Sequence, residues 1–201
     1  MGDVQWFLGQ RYDWCKTEEG KVACHISQQA FVEGMLQKFN LRHIKPSKTP
    51  YRSGLKIDRV EAGGYTDEKD INRYQSVVGC LNWLTINTRP DINTAYSLLS
   101  QFNSKPSPGH WEAAKTVLRY LQSTSSHGIW FKQGENRLQG QVAIPDELKG
   151  DETILFTDSN WGPQDASKPT ENETRTVTMQ ELRSIQGFYL TRMGGPLLWG
   201  A

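Results

Sequence analysis

Residues able to do chemistry are sparse in this 201-residue sequence. The densest set is cationic. Lys38, Arg42, Lys45, Lys48, Arg52, Lys56 and Arg59 are opposed only by Asp58 within 22 residues. Such a tract can contact a phosphate backbone, where each neutralised phosphate releases counterions. It can equally be a solvated loop, because Pro46, Pro50 and Gly54 interrupt it. Cys15, Cys24 and His25 are zinc-type donors, but a fourth donor and the usual spacing are missing. His110, in HWEAAK, reads as a helix-start residue rather than a ligand or base. Asp158 follows the apolar run 153–157 and reads, on its own, as a polar strand-end residue. There is no Gly-rich phosphate loop, no GxSxG and no adjacent pair of aspartates. Asn172-Glu173-Thr174 is a glycosylation sequon without a secretory context.

Composition narrows the classes further. Hydrophobic residues make up 36% and charged residues 22%, which excludes a strongly charged disordered tail. Apolar runs are too short for a membrane-spanning helix. The start, MGDVQWF, lacks the basic and apolar regions of a secretory signal, so an intracellular location is expected. Three cysteines without a CxxC pair read as reduced thiols. The net charge of +1 hides an asymmetry: residues 1–133 carry 17 basic and 12 acidic side chains, residues 134–201 carry 6 and 10.

Periodicity predicts the elements that position these groups. A hairpin is expected over 4–26, with strands at 4–12 and 21–26 and a turn at Thr17–Gly20. Ser27 is the expected N-cap of a helix over 28–39, with Val32, Met35, Leu36 and Phe39 on its apolar face. After the basic tract and an acidic turn at 61–70, a second helix is predicted over 71–87, its face formed by Tyr74, Val77, Val78, Leu81 and Leu84. Arg89-Pro90 ends it and begins a third helix over 90–103, with Pro90 in the first turn and Asp91 at the positive helix end. A fourth helix follows over 109–122. Short strands are predicted at 128–132, 137–144 and 153–157, a loop at 159–180, and a second hairpin from 187–192 and 196–199. The chain opens inside strand-like sequence and stops at the end of another strand, as expected of a segment cut from something longer.

Six strings stand in one order: VQWFLG at 4–9, SQQAFVEGMLQKFNL at 27–41, KTP at 48–50, YQSVVGCLNWLTINTRPDINTAYSLLSQF at 74–102, HWEAAKTVLRYLQST at 110–124 and FTDSNWGPQDASKP at 156–169. In this order they resemble the Pol polyprotein of copia-type LTR retrotransposons, from the end of the reverse transcriptase palm into the start of ribonuclease H. The resemblance implies an α+β chain of three parts. Residues 1–27 would be the primer-grip-like hairpin ending the palm, although an ordinary core hairpin fits those residues equally well. Residues 28–125 would be a helical thumb and connection bundle. Residues 126–201 would hold connecting strands and a truncated ribonuclease H-like mixed sheet, and the segment 150–201 is expected to be the least stable part.

The resemblance also implies site residues. A thumb clamps primer–template nucleic acid through its backbone. Lys38, Arg42, Lys45, Lys48, Arg52, Arg89, Lys115 and Arg119 are the cations expected to make those contacts, with an RNA–DNA hybrid or duplex DNA as partner. Asp158 matches the first-strand carboxylate that helps hold two divalent metals in ribonuclease H. Mg2+ would serve the full-length family enzyme. One carboxylate cannot hold two hard cations, so this chain is expected to bind none stably and to be catalytically inactive alone. The polymerase aspartates are also missing. Two other readings stay open: a working segment of a larger polymerase–ribonuclease H, whose flanking sequence would supply the missing carboxylates, and a recruited protein-interaction module.

Overall fold

A computed structural model describes residues 3–41, 44–51, 64–133, 154–160, 185–192 and 195–200. Among the described residues the fold combines four α-helices with antiparallel sheets, the α+β class expected from the sequence. Every described strand pairing is antiparallel, so no mixed sheet forms among these residues.

The first sheet has the order β1 (Trp6–Phe7), β2 (Gln10–Lys16), β3 (Val22–Ser27) and β4 (Gly128–Lys132). The single strand expected over 4–12 is in fact two strands. Leu8 and Gly9, with φ of 48° and 75°, make a tight two-residue reversal of the type that requires positive φ at both positions. Glycine adopts that geometry freely, and Leu8 is carried into it. The turn at 17–20 forms as expected, closed by Thr17 N–H donating to Lys21 O at 2.8 Å.

Strand β4 lies about a hundred residues beyond β3, yet it pairs with it from Ala23↔Lys132 to Ser27↔Gly128. The whole helical region is therefore an insertion between two neighbouring strands. Gly128 is required at this seam, because a Cβ there would lie 2.1 Å from Ile26 O.

Helix α1 (Gln29–Lys38) begins one residue later than expected. Ser27 still belongs to β3, and Gln28 takes the cap position without a side-chain capping bond. The C-terminal end is better built. Asn40 takes φ of 57°, its N–H donates to Gln37 O, and Leu41 N–H donates to Leu36 O at 2.8 Å. This paired closure satisfies two otherwise orphaned carbonyls.

Helix α2 (Glu68–Asn87) starts inside the stretch expected as an acidic turn. Asp67 caps it by accepting from Lys69 N–H at 2.9 Å, and Glu68 and Asp70 complement the positive helix end. The third helix is shorter than expected: a 3-10 turn at Pro90–Ile92 leads into α3 (Asn93–Ser100). Helix α4 (Pro108–Ser123) completes the bundle. The predicted apolar faces all turn inward, and Tyr74, Leu81, Leu84, Ile92, Leu118 and Leu121 are fully buried in one core.

A second sheet, β5 (Ile154–Asn160), β6 (Ile185–Arg192) and β7 (Gly195–Gly200), is a three-stranded meander. Its β6–β7 pairing is the second hairpin expected from the sequence, irregular at Leu190/Thr191. Trp199 Nε1 donates to Thr85 O at 2.6 Å and so reaches the last turns of α2. The strand expected at 137–144 lies outside the described residues.

Candidate nucleic-acid interface

The expected cations separate into groups when placed on the fold. Segment 44–48 runs along α4 and is stapled to it from both sides: Ser47 N–H donates to Arg119 O at 3.3 Å, and Ser123 Oγ donates to Ser47 O at 3.2 Å. This brings Lys45 and Arg119 to the walls of one cleft of about 360 Å3, together with Ile44, Pro46 and Thr116. Lys48 is exposed on the same segment. Lys115 lies one turn before Arg119 and is ion-paired to Glu112. The arrangement can hold an anionic oxygen between a compact ammonium and a planar guanidinium. Arg42 and Arg52 lie outside the described residues.

Lys38 is elsewhere. It lines a separate groove of about 640 Å3 with Asn40, Lys69, Asn72, Arg73 and Ser76. Arg73 lies over the Trp111 ring, 4.4 Å from its centroid. Sequence reasoning missed Lys69 and Arg73. Their four-residue spacing would have signalled a shared helix face, had α2 been started at 68 rather than 71.

Arg89 must be removed from the set of backbone-binding cations. It is only 1% exposed. Its Nε and one terminal nitrogen donate to the two oxygens of Asp91, at 2.9 and 2.7 Å. Its guanidinium also donates to Thr124 O at 2.9 Å and to Thr124 Oγ1 at 2.8 Å. Tyr120 Oη adds a 2.8 Å donor bond to Asp91. Pro90 sits at the first position of the 3-10 turn, as expected, and lets the chain fold back so that Arg89 and Asp91 meet. Burial opposes ionisation of Asp91, but the bonds from Arg89 and Tyr120 outweigh it and hold the carboxyl below its ordinary range. Burial, and then the bond to that carboxylate, push the Tyr120 phenol up. The string TRPDI therefore builds an internal clasp joining the α2–α3 junction to the end of α4.

His110 is a helix-start residue. Ser107 Oγ accepts from His110 N–H at 3.4 Å, and His110 Nδ1 accepts from Ser107 N–H at 3.0 Å. These reciprocal bonds cap α4.

The cysteine and histidine donors do not converge. Cys15 pairs with Ala23, which puts Cys15 and Cys24 on opposite faces of the sheet. Burial pushes the Cys24 thiol up, away from the thiolate a metal needs. Among the described residues, no group of three or more His, Cys, Asp or Glu side chains is placed to hold a metal ion.

Asp158 is the fifth residue of β5, inside the strand rather than after it, and pairs with Gly187. It is the one carboxylate on the three strands of this sheet. A two-metal centre needs several such donors, so the residues of these strands do not fit one.

No helix among the described residues is long and apolar enough to cross a membrane. No family model matches the chain, and no solved structure matches it. Curated relatives do. The retrovirus-related Pol polyprotein from transposon TNT 1-94 of Nicotiana tabacum is 35% identical over 99% of this chain and 15% of its own length. That from transposon RE2 of Arabidopsis thaliana is 35% identical over 91% of this chain and 12% of its own length. The secreted RxLR effector protein 161 of Plasmopara viticola is 34% identical over 63% of this chain and 69% of its own length. The chain thus spans less than a sixth of the Pol polyproteins it matches.

Proposed function

Because the chain belongs to the copia-type retrotransposon Pol polyprotein family, we propose that it is the thumb and connection segment of such a polyprotein. In this reading it binds primer–template nucleic acid through the backbone and does no chemistry alone. The observation that carries the reading is the cleft in which segment 44–48, stapled to α4, sets Lys45 beside Arg119. Among the described residues neither cation has a carboxylate partner. Lys45 is exposed and Arg119 half-buried, and cations so placed attract phosphate oxygens and release counterions when they bind them. Such contacts fix register on a duplex without reading its sequence, which suits a clamp that must hold any template. The remainder of the polyprotein is the natural partner, supplying the polymerase aspartates and the further ribonuclease H carboxylates.

The inactivity is tested with the chain alone, an RNA–DNA primer–template, nucleotides and Mg2+. The expected result is retarded mobility of the hybrid with neither primer extension nor RNA cleavage. Cleavage that disappears in Asp158→Asn would overturn this part of the reading.

A second reading follows from the effector relative, whose length is mostly covered by this sequence. In that reading this chain would serve as a protein-interaction module. It requires a folded chain whose binding to nucleic acid is absent at every salt concentration.

A further inference from the structure

We propose that the Lys45–Arg119 cleft and the Lys38–Lys69–Arg73 groove are the two ends of one phosphate track along α4, followed by a single strand of a nucleic-acid duplex. This inference rests on the backbone-binding reading above and extends it to a second site.

The link between the two ends is α4 itself. Trp111, Lys115 and Arg119 stand at successive four-residue intervals and so form one stripe. At 1.5 Å per residue the stripe runs about 12 Å. Arg73 stacks on Trp111 at its first end, and Lys45 shares a cleft with Arg119 at its last. A stripe of this length can meet successive phosphates of one strand. The groove at the first end is built for oxygen anions. Lys38, Lys69 and Arg73 line it together, and among the described residues none of them is ion-paired. Asn40, Asn72 and Ser76 add neutral hydrogen-bonding groups. Lys69 and Arg73 lie one turn apart on α2, so both reach the same side.

The middle of the track is weaker than its ends. Glu112 holds Lys115 in an ion pair and cancels its charge. The track therefore gathers its positive charge at two points, with a neutral span between them. That pattern fits an extended polyanion better than a compact one, because a small anion could occupy only one end.

The test is binding of the full chain to a labelled RNA–DNA hybrid across a salt series. Lys38→Ala/Lys69→Ala is compared with Lys45→Glu/Lys48→Glu and with the unaltered chain. Lys38, Lys69, Lys45 and Lys48 are all exposed, so both variants are expected to fold, and their melting curves check it. The track predicts that Lys38→Ala/Lys69→Ala lowers the slope of log K against log salt by about 1.8, two contacts at about 0.9 each. It also predicts that Glu112→Gln, which frees Lys115, strengthens binding severalfold, a gain that structural damage would not produce. An unchanged slope in Lys38→Ala/Lys69→Ala, with binding lost in Lys45→Glu/Lys48→Glu, overturns the track and leaves the backbone-binding reading standing. No binding by the unaltered chain overturns both. Competition by polyglutamate equal to that by unlabelled hybrid of the same charge overturns the nucleic acid as partner.

Discussion

Replacing Arg89 by methionine tests whether TRPDI is a clasp or a binding motif. The change keeps much of the side-chain volume and removes four hydrogen bonds, two to Asp91 and two to Thr124. Breaking a buried ion pair costs about 3–5 kcal/mol, because one charge is left without its partner. Here Asp91 keeps 35% of its side chain exposed and can regain some water, which moves the figure to the lower end. Thr124 is buried, and its carbonyl would lose a donor, a cost of about 1–3 kcal/mol when no water replaces it. Together these give a loss of about 3 kcal/mol, with the two contributions overlapping rather than adding. For a chain of this length that corresponds to a melting temperature lower by about 6–12 °C. Denaturant unfolding and thermal scans read it directly. Asp91→Asn added to Arg89→Met should recover about 1 kcal/mol, since it removes the stranded charge. A loss below about 1 kcal/mol would refute the clasp. So would a smaller salt slope for nucleic-acid binding in a folded Arg89→Met chain, which would return Arg89 to the interface.

Three further outcomes follow from the geometry. His110→Ala removes half of the reciprocal cap and the ring stacked on Phe102, so urea unfolding should show a loss of about 1–2 kcal/mol. Gly128→Ala forces a methyl into Ile26 O and should separate β4 from β3, with a loss of about 3 kcal/mol and faster amide exchange along Ala23–Ser27. Burial holds the His25 imidazole below its ordinary value, aided by Arg11 and His127 and opposed by Asp13. The unfolded chain then takes up the proton first. This contribution is complete above about pH 6.5 and is lost as the pH falls through that value toward the lower folded pKa. Melting temperature should decline over that window, and His25→Gln should flatten the decline.

Local pattern made much of this fold legible. The faces of α2 and α4 were visible because side chains three and four apart meet on one side of a helix, whatever lies around them. The same locality exposed the turn at Thr17–Gly20 and the helix-start place of His110. What stayed hidden depended on distant partners. Nothing near 128–132 shows that it pairs with 22–27, since that pairing is decided only after the helices have packed. Arg89 looked like a surface cation because one of its partners, Thr124, lies 35 residues away. Its other partner, Asp91, is two residues on, and the R-P-D spacing was a usable sign of it. The break at Leu8-Gly9 was obscured by the apolar run Trp6–Leu8, although Gly9 marked it. The candidate interface was half legible: Lys45 and Arg119 were singled out and line one cleft, whereas Lys69, inside an acidic stretch, and Arg73, one turn further along α2, went unnoticed.

The backbone-binding reading is tested most directly by fluorescence anisotropy of the purified chain with a labelled RNA–DNA hybrid at two salt concentrations, beside Lys45→Glu/Lys48→Glu/Arg119→Glu. Binding is expected to weaken as salt rises and to fall at least tenfold in the triple variant. A demonstrably folded chain that leaves the hybrid free at low salt would contradict that reading.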